Sequence, residues 1–311
     1  MDTKHKAILL GITSALFFAA TFVLNRSMSL EGGSWIWSAS LRYFWMALLL
    51  FPLLLARGEL RALLREMSKN KLAWLGWSTI GFGIFYGGLT YASSFAPGWL
   101  VAGTWQLTII AGLGLSPLLN RSDRSVSRNT ILFSLIIVLG VFILQIPLAK
   151  SVSTDDLLKS VLPVLVAAVA YPLGNRKMMQ ITEGRLTATQ RLLGMTLASL
   201  PCWIALAVVE GCYNGLPDGN QLLQTFMVAV TSGVIATSLF FRATDLVRED
   251  ERGLAAVEAT QSTEVAFALA GEVLFLHAPF PGALSLLGIA VISVGMVLHS
   301  TGRAGTKRSD D

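Results

Sequence analysis

Charged side chains are scarce in this sequence. They make up 14% of its 311 residues, against about 25% in soluble domains. A water-soluble globule of this length needs more of them to cover its surface, so that class is excluded. Hydrophobic residues reach 53% and the mean hydropathy is +0.62. A disordered chain is therefore excluded too, because disorder goes with low hydrophobicity and high net charge. Cysteine is nearly absent, and Cys202 with Cys212 defines neither a disulfide framework nor a zinc site. The three histidines, His5, His277 and His299, lie far apart near segment ends. No metal and no cofactor is expected from such a set.

What the sequence has is long apolar runs. A hydrocarbon core ~30 Å thick needs about 20 mainly apolar helical residues. Such runs are Ala7–Leu24, Ser34–Ala56, Leu72–Phe95, Gly98–Leu119, Thr130–Leu148, Leu157–Gly174, Leu192–Val209, Leu222–Phe241, Gly253–Leu276 and Pro281–Ser300. Only helices and closed barrels satisfy their backbone in lipid, and barrel strands are shorter and alternate in polarity. The sequence therefore predicts an all-α integral membrane protein of ten spans. Ala7–Leu24 is long for a signal peptide, has no small-residue cleavage site and ends at Asn25-Arg26; it reads as a retained first span.

The net charge of +5 suggests nucleic acid until the charges are placed along the chain. With ten spans, 20 of the 24 Lys and Arg fall on the side shared by both termini. Arg26, Lys150 and Lys159 fall on the other side, and Arg42 lies inside a span. Cytoplasmic loops retain such an excess, so both termini are expected in the cytoplasm of a cell with this chain in its inner (plasma) membrane. The partners expected are the lipid bilayer and a small molecule, with no nucleic acid. The stretch Arg57–Lys71 reads as an ordinary positive-inside loop. Leu60, Leu63, Leu64 and Met67 at helical spacing leave a short amphipathic helix on the inner leaflet as the alternative.

The two halves match weakly but in order. A shift of 155 pairs Phe85 with Phe240, Gly98 with Gly253, Gln106 with Gln261, Thr108 with Thr263 and Gly140 with Gly295. Arg42, Met46 and Pro52 match Arg191, Met195 and Pro201 at 149, and Asn25–Met28 mirrors Asn175–Met178 at 150. The units are expected at 1–150 and 151–302, with a cytoplasmic tail at 303–311. Five spans is an odd number, so the second copy enters the membrane upside down. Inverted repeats of this kind build many secondary transporters, with the site near the midplane. No GxxxxGK(S/T) loop is present, which disfavours ATP as the driving force.

At this point the chain resembles the ten-helix members of the drug/metabolite transporter superfamily, in particular their multidrug-efflux branch. The likeness rests on Leu41-Arg42-Tyr43 running to Pro52, on Ala270-Gly271-Glu272, and on Leu286–Leu298. The resemblance implies a secondary transporter working by alternating access, and export follows from it alone. Uptake or exchange by the same fold stays open, as does a proton as coupling ion, and as do monomer and homodimer. Small relatives in that superfamily use a carboxylate in their first helix; this first helix has none, so coupling in that manner does not carry over.

Charges within spans mark candidate sites, because each costs about 2.5–3.5 kcal/mol on insertion scales. In the ninth span Glu258, Gln261, Glu264 and Glu272 occupy an arc of about 120° at ~100° per residue. Depth separates the carboxylates. Glu264, near the middle, is the candidate for binding a cation or a coupling proton, Glu258 lies deeper on the inner side, and Glu272 near the outer boundary has a structural or gating reading. Arg42 has two readings, snorkelling or pairing with a carboxylate or an anionic solute; for Arg191 snorkelling is preferred. Trp105 and Gln106 on the fourth span, Tyr86 on the third and Tyr171 on the sixth are candidate pocket residues for cationic or aromatic solutes, together with Trp77 and Tyr91. An intramembrane enzyme is disfavoured, since no mid-span histidine or ligand constellation exists. A receptor or scaffold would leave the repeat and the polar ninth span without a purpose.

Overall fold

The structure, a computed structural model, describes residues 3–119, 128–247 and 250–306. Arg121, Arg124, Arg248, Lys307 and Arg308 of the basic tally, and the last five residues of the expected tail, lie outside the described residues. Among the described residues the chain is helical, with no strand. The helices are α1 (Thr3–Leu30), α2 (Trp35–Ala56), α3 (Leu60–Lys69), α4 (71–92), α5 (98–119), α6 (Arg128–Ser151), α7 (Thr154–Thr182), α8 (Ala188–Tyr213), α9 (Gly219–Leu246), α10 (251–275) and α11 (Ala283–Thr306). Six of them, α1, α2, α6, α7, α8 and α9, are long and apolar enough to cross a membrane. Large apolar side chains face outward along the bundle, among them Leu48, Phe142 and Val208. A soluble protein would not leave so much apolar surface uncovered. The protein is a multi-pass membrane protein.

Helix starts follow local chemistry. Ser34, Ser153 and Thr187 each accept a backbone N–H through the side chain at the start of α2, α7 and α8. Gln190 completes a capping box with Thr187. α7 ends where Glu183 and Gly184 both take positive φ, the left-handed exit that terminates helices.

The expectation of an ordinary loop at Arg57–Lys71 is corrected, because Leu60–Lys69 is helical. Its apolar stripe docks on protein: Leu63 is fully buried and Leu60 nearly so. Glu66 accepts hydrogen bonds from Arg185 Nη2 (2.8 Å) and Lys69 Nζ (2.7 Å). These two cations hold the Glu66 carboxyl below its usual range. An amphipathic stripe next to complementary helices folds for tertiary reasons that local charge does not reveal.

Packing follows a reciprocal pattern. α6 lies along α11 and α2 along α8. α1 packs on α9 and α10 while α7 packs on α4 and α5; α2 also meets α9 while α8 meets α4. Small residues set the closest approaches. A Cβ on Gly140 would lie 2.7 Å from the Ile292 backbone nitrogen, and one on Gly288 2.8 Å from that of Leu144. Gly295 faces Ile137 in the same antiparallel seam, so backbones there meet with nothing between them. α1 and α10 run parallel, Gly11 meeting Thr260 and Val23 meeting Gly271.

Four helices are irregular, in pairs. α4 contains a π turn at Thr79–Ile84 and α9 one at Ala229–Ala236. Such turns displace backbone carbonyls from the regular ladder, and in lipid these need new partners. Tyr43 Oη donates to the Phe82 carbonyl (3.2 Å) and Ser14 Oγ to that of Ala236 (2.9 Å). α5 tightens at Gln106-Leu107, whose amides bond three residues back, to Gly103 and Thr104. α10 tightens into a 3-10 turn at Thr260–Ser262. The two tightenings sit where Gln106 and Gln261 were paired by sequence.

Candidate functional site: a cavity between the halves

A cavity of about 500 Å³ lies among the irregular helices, within the ~300–1,000 Å³ range of small-molecule sites. Its wall runs from Phe22 and Leu89, through Arg42 and Trp105, to Arg191, Phe241 and Glu258. Glu258 lines the cavity and is also exposed, which marks the mouth. The mouth thus lies among the last turns of α7 and α9 and the first turns of α8 and α10.

The opposite end is clamped. Arg26, from α1, donates to the carbonyls of Ser93 (3.0 Å) and Ser94 (3.4 Å), just past the end of α4. Glu272, from α10, accepts the Gly98 N–H that opens α5. A cation at a helix C-terminus and an anion at a helix N-terminus each complement the helix dipole, so two opposite charges hold the α4–α5 junction. Glu31 adds a second fastening, accepting from Gln224 Nε2 (2.8 Å) and from Asn220 near the start of α9.

Of the candidate residues, Arg42, Trp105, Gln106, Tyr171, Glu258, Gln261 and Glu264 all line the cavity. Glu264 is buried (6% exposed) and lies next to Gln106, whose Nε2 donates to the Ala102 carbonyl (3.2 Å). The buried Gln261 Nε2 has no hydrogen-bond partner among the described residues. Tyr171, Trp105 and Phe85 form one aromatic wall, with ring centroids 4.7–5.6 Å apart.

Other candidates fall elsewhere. Tyr86 is fully buried behind the wall, donating to Asn25 Oδ1 at 3.3 Å with its ring 4.0 Å from the Arg42 guanidinium carbon. A mid-span tyrosine reads alike as pocket or packing by sequence, and packing holds here. Trp77 stacks with Lys177, and Tyr91 meets Trp35 edge-on, both away from the cavity. Glu272 belongs to the clamp. Among the described residues Arg42 pairs with no carboxylate; its guanidinium faces the Tyr86 ring. Arg191, read by sequence as snorkelling, lines the cavity near the mouth. Sequence reasoning passed over Arg176 and His299, which also line it. Arg176 carries a signal in hindsight, being the second-half partner of Arg26 in the Asn-Arg repeat.

One solved structure, titled "Crystal structure of protein", superposes with a TM-score of 0.66 over 98% of this chain and 99% of its own at 16% identity; it shows the same fold and no more. A Bacillus subtilis (strain 168) protein named "Uncharacterized protein YjlA" is 50% identical over 308 residues, covering 95% of this chain and 94% of its own. A Shouchella clausii protein, "Uncharacterized 42.1 kDa protein in intracellular alkaline protease 3'region", is 47% identical over 266 residues, 83% of this chain and 70% of its own. Residues 5–304 match the model of the EmrE family, described as "Putative multidrug resistance efflux transporter". With nearly its whole length matched, the chain belongs to that family of membrane transporters, within the drug/metabolite transporter superfamily.

Proposed function

We propose that the protein is a secondary active transporter that exports a small organic solute by alternating access. The observation that carries the reading is the cavity, walled by both halves of the chain, with a mouth at one end and charged clamps at the other. The reciprocal packing and the paired irregularities support ten spans in a 5+5 inverted repeat, with units at 1–150 and 151–302. Two similar bundles of opposite orientation have two conformations of comparable energy, which is what alternation requires. The bias of Lys and Arg puts the mouth and both termini on the cytoplasmic side of the cell's inner membrane. The outward-facing form then needs the α4–α5 junction released and the mouth closed.

In this reading Glu264 takes the coupling proton. Arg42, Trp105, Gln106, Tyr171, Glu258 and Gln261 contact the solute, and Tyr86 supports Arg42. The unit of function is a monomer or a homodimer. The test is flux in liposomes carrying the purified chain, over a panel of amino acids, cationic dyes and metabolites, with and without a pH gradient. Gradient-dependent flux lost in Glu264→Gln is the expected result. Flux unchanged in that variant overturns the coupling role of Glu264 alone, whereas no flux of any panel member overturns transport.

A further inference from the structure

The cavity carries an unusual charge for a site reached through a multidrug family, and it rests on one side chain in particular. Arg42 is 8% exposed, sits part-way along α2 and lines the cavity. Its face is used: the guanidinium lies 4.0 Å from the Tyr86 ring centre. Its edge is not, since Nε is buried without a hydrogen-bond partner and no carboxylate pairs with it among the described residues. Stacking on a ring occupies the flat face of a guanidinium and leaves the in-plane N–H fork free for a planar acid group. The carboxylate that shares the cavity, Glu264, forms no ion pair with Arg42 among the described residues and lies next to Gln106.

The other charges of the wall balance, which leaves Arg42 in surplus. Arg176 and Arg191 join Arg42, against the carboxylates Glu258 and Glu264. Glu258 stands at the mouth, so the deep part of the cavity sets Arg42 beside the aromatic wall of Phe85, Trp105 and Tyr171. The buried, unpartnered Gln261 Nε2 adds a second donor.

We propose that the transported solute is an aromatic organic anion, its acid group held by the Arg42 fork and its ring laid on the Phe85–Trp105–Tyr171 wall. This deepens, and rests on, the transporter reading above. It reverses the charge of the lipophilic cations that a multidrug pocket built on carboxylates selects. A bidentate pair between guanidinium and carboxylate adds geometry to charge, so lysine at position 42 supplies the charge without the fork.

The test compares probes of one ring and opposite charge, 1-naphthoate with 1-naphthylmethylamine and indole-3-acetate with tryptamine. It measures both flux in liposomes and the thermal shift of the purified full chain. The anions are expected to raise the unfolding temperature and to cross, the matched cations to do neither. Arg42→Gln is expected to lower anion flux by about tenfold or more, and Arg42→Lys to restore part of it. Should Arg42→Gln fail to fold, the wild-type choice between matched probes decides. Flux of the amines without the acids overturns the inference and leaves a transporter. Anion flux undiminished in folded Arg42→Gln overturns the capture by Arg42. A chain that moves and binds no probe of either sign overturns the transporter reading and this one with it.

Discussion

Helices α5 and α10 each begin at a glycine-bearing turn, tighten at mid-course and present a glutamine to the cavity, yet only α10 carries carboxylates. In α5 the tightening at Gln106-Leu107 is lined by Trp105 and Gln106; in α10 the turn at Thr260–Ser262 is bracketed by Glu258 and Glu264. The two helices share a backbone shape and differ in their side chains: one bend is flanked by an indole, the other by carboxylates. The two glutamines illustrate the division: Gln106 Nε2 donates to the Ala102 carbonyl (3.2 Å), whereas Gln261 Nε2 has no hydrogen-bond partner among the described residues.

The largest expected effect breaks the comparison at its chemical end. Glu264→Gln should lower gradient-driven flux by about tenfold or more, since a buried polar site then has no group to exchange a proton. Adding Gln106→Glu rebuilds the pair in reverse, and flux returning to within about tenfold of wild type would place the requirement in the pair rather than in α10. No recovery would place it in α10.

The glycine starts come next. Gly98→Ala would set a Cβ 2.5 Å from the Phe22 carbonyl and 2.8 Å from Glu272 Oε1, costing about 1–3 kcal/mol by overpacking. At its counterpart Gly253 the nearest atoms are side-chain ones, Asp250 Oδ2 at 2.7 Å and Val247 Cβ at 3.0 Å, so Gly253→Ala should cost less than Gly98→Ala. Unfolding of the purified variants in detergent measures both, and equal losses would break the contrast. Glu272→Gln weakens the acceptor for Gly98 and should cost about 1–2 kcal/mol in the same assay. Gln106→Ala removes the hydrogen bond to the Ala102 carbonyl and should cost about 1 kcal/mol, while Gln261→Ala breaks no hydrogen bond and should leave stability nearly unchanged yet reduce flux.

The smallest effect lies away from both helices. Glu66 has its carboxyl held below the usual range by Arg185 and Lys69. The stability it lends to α3 is full above the unfolded-state value and fades as pH falls through the depressed one. With the Arg185 side chain 42% exposed, the contribution is below about 1 kcal/mol. Acid titration of wild type against Glu66→Gln should converge at low pH.

The apolar runs were legible because lipid tolerates few polar residues, and the carboxylates of α10 stood out for the same reason. The bends were not. Gln106-Leu107 and Thr260–Ser262 contain neither glycine nor proline, and the tightening is upheld by tertiary packing and by Thr and Ser hydroxyls that bond back along the helix. Wall membership was partly legible. Seven of the eight candidate positions line the cavity, but whether a tyrosine faces it or supports a neighbour depends on the rotation of α4, which apolar periodicity does not fix in a span polar on neither side. The helix at Leu60–Lys69 was missed as first choice because its burial is against Trp74 and α8, partners remote from a local charge pattern.

The seam of Gly140, Gly288 and Gly295 has a mechanical corollary. With main chain close to main chain at Gly140 and Gly288, and only the branches of Ile137 and Ile292 wedged beside them, α6 and α11 have little side-chain cushion to slide on or to re-pack. Whatever tilts elsewhere in the bundle must swing about this pair as a door swings about its post.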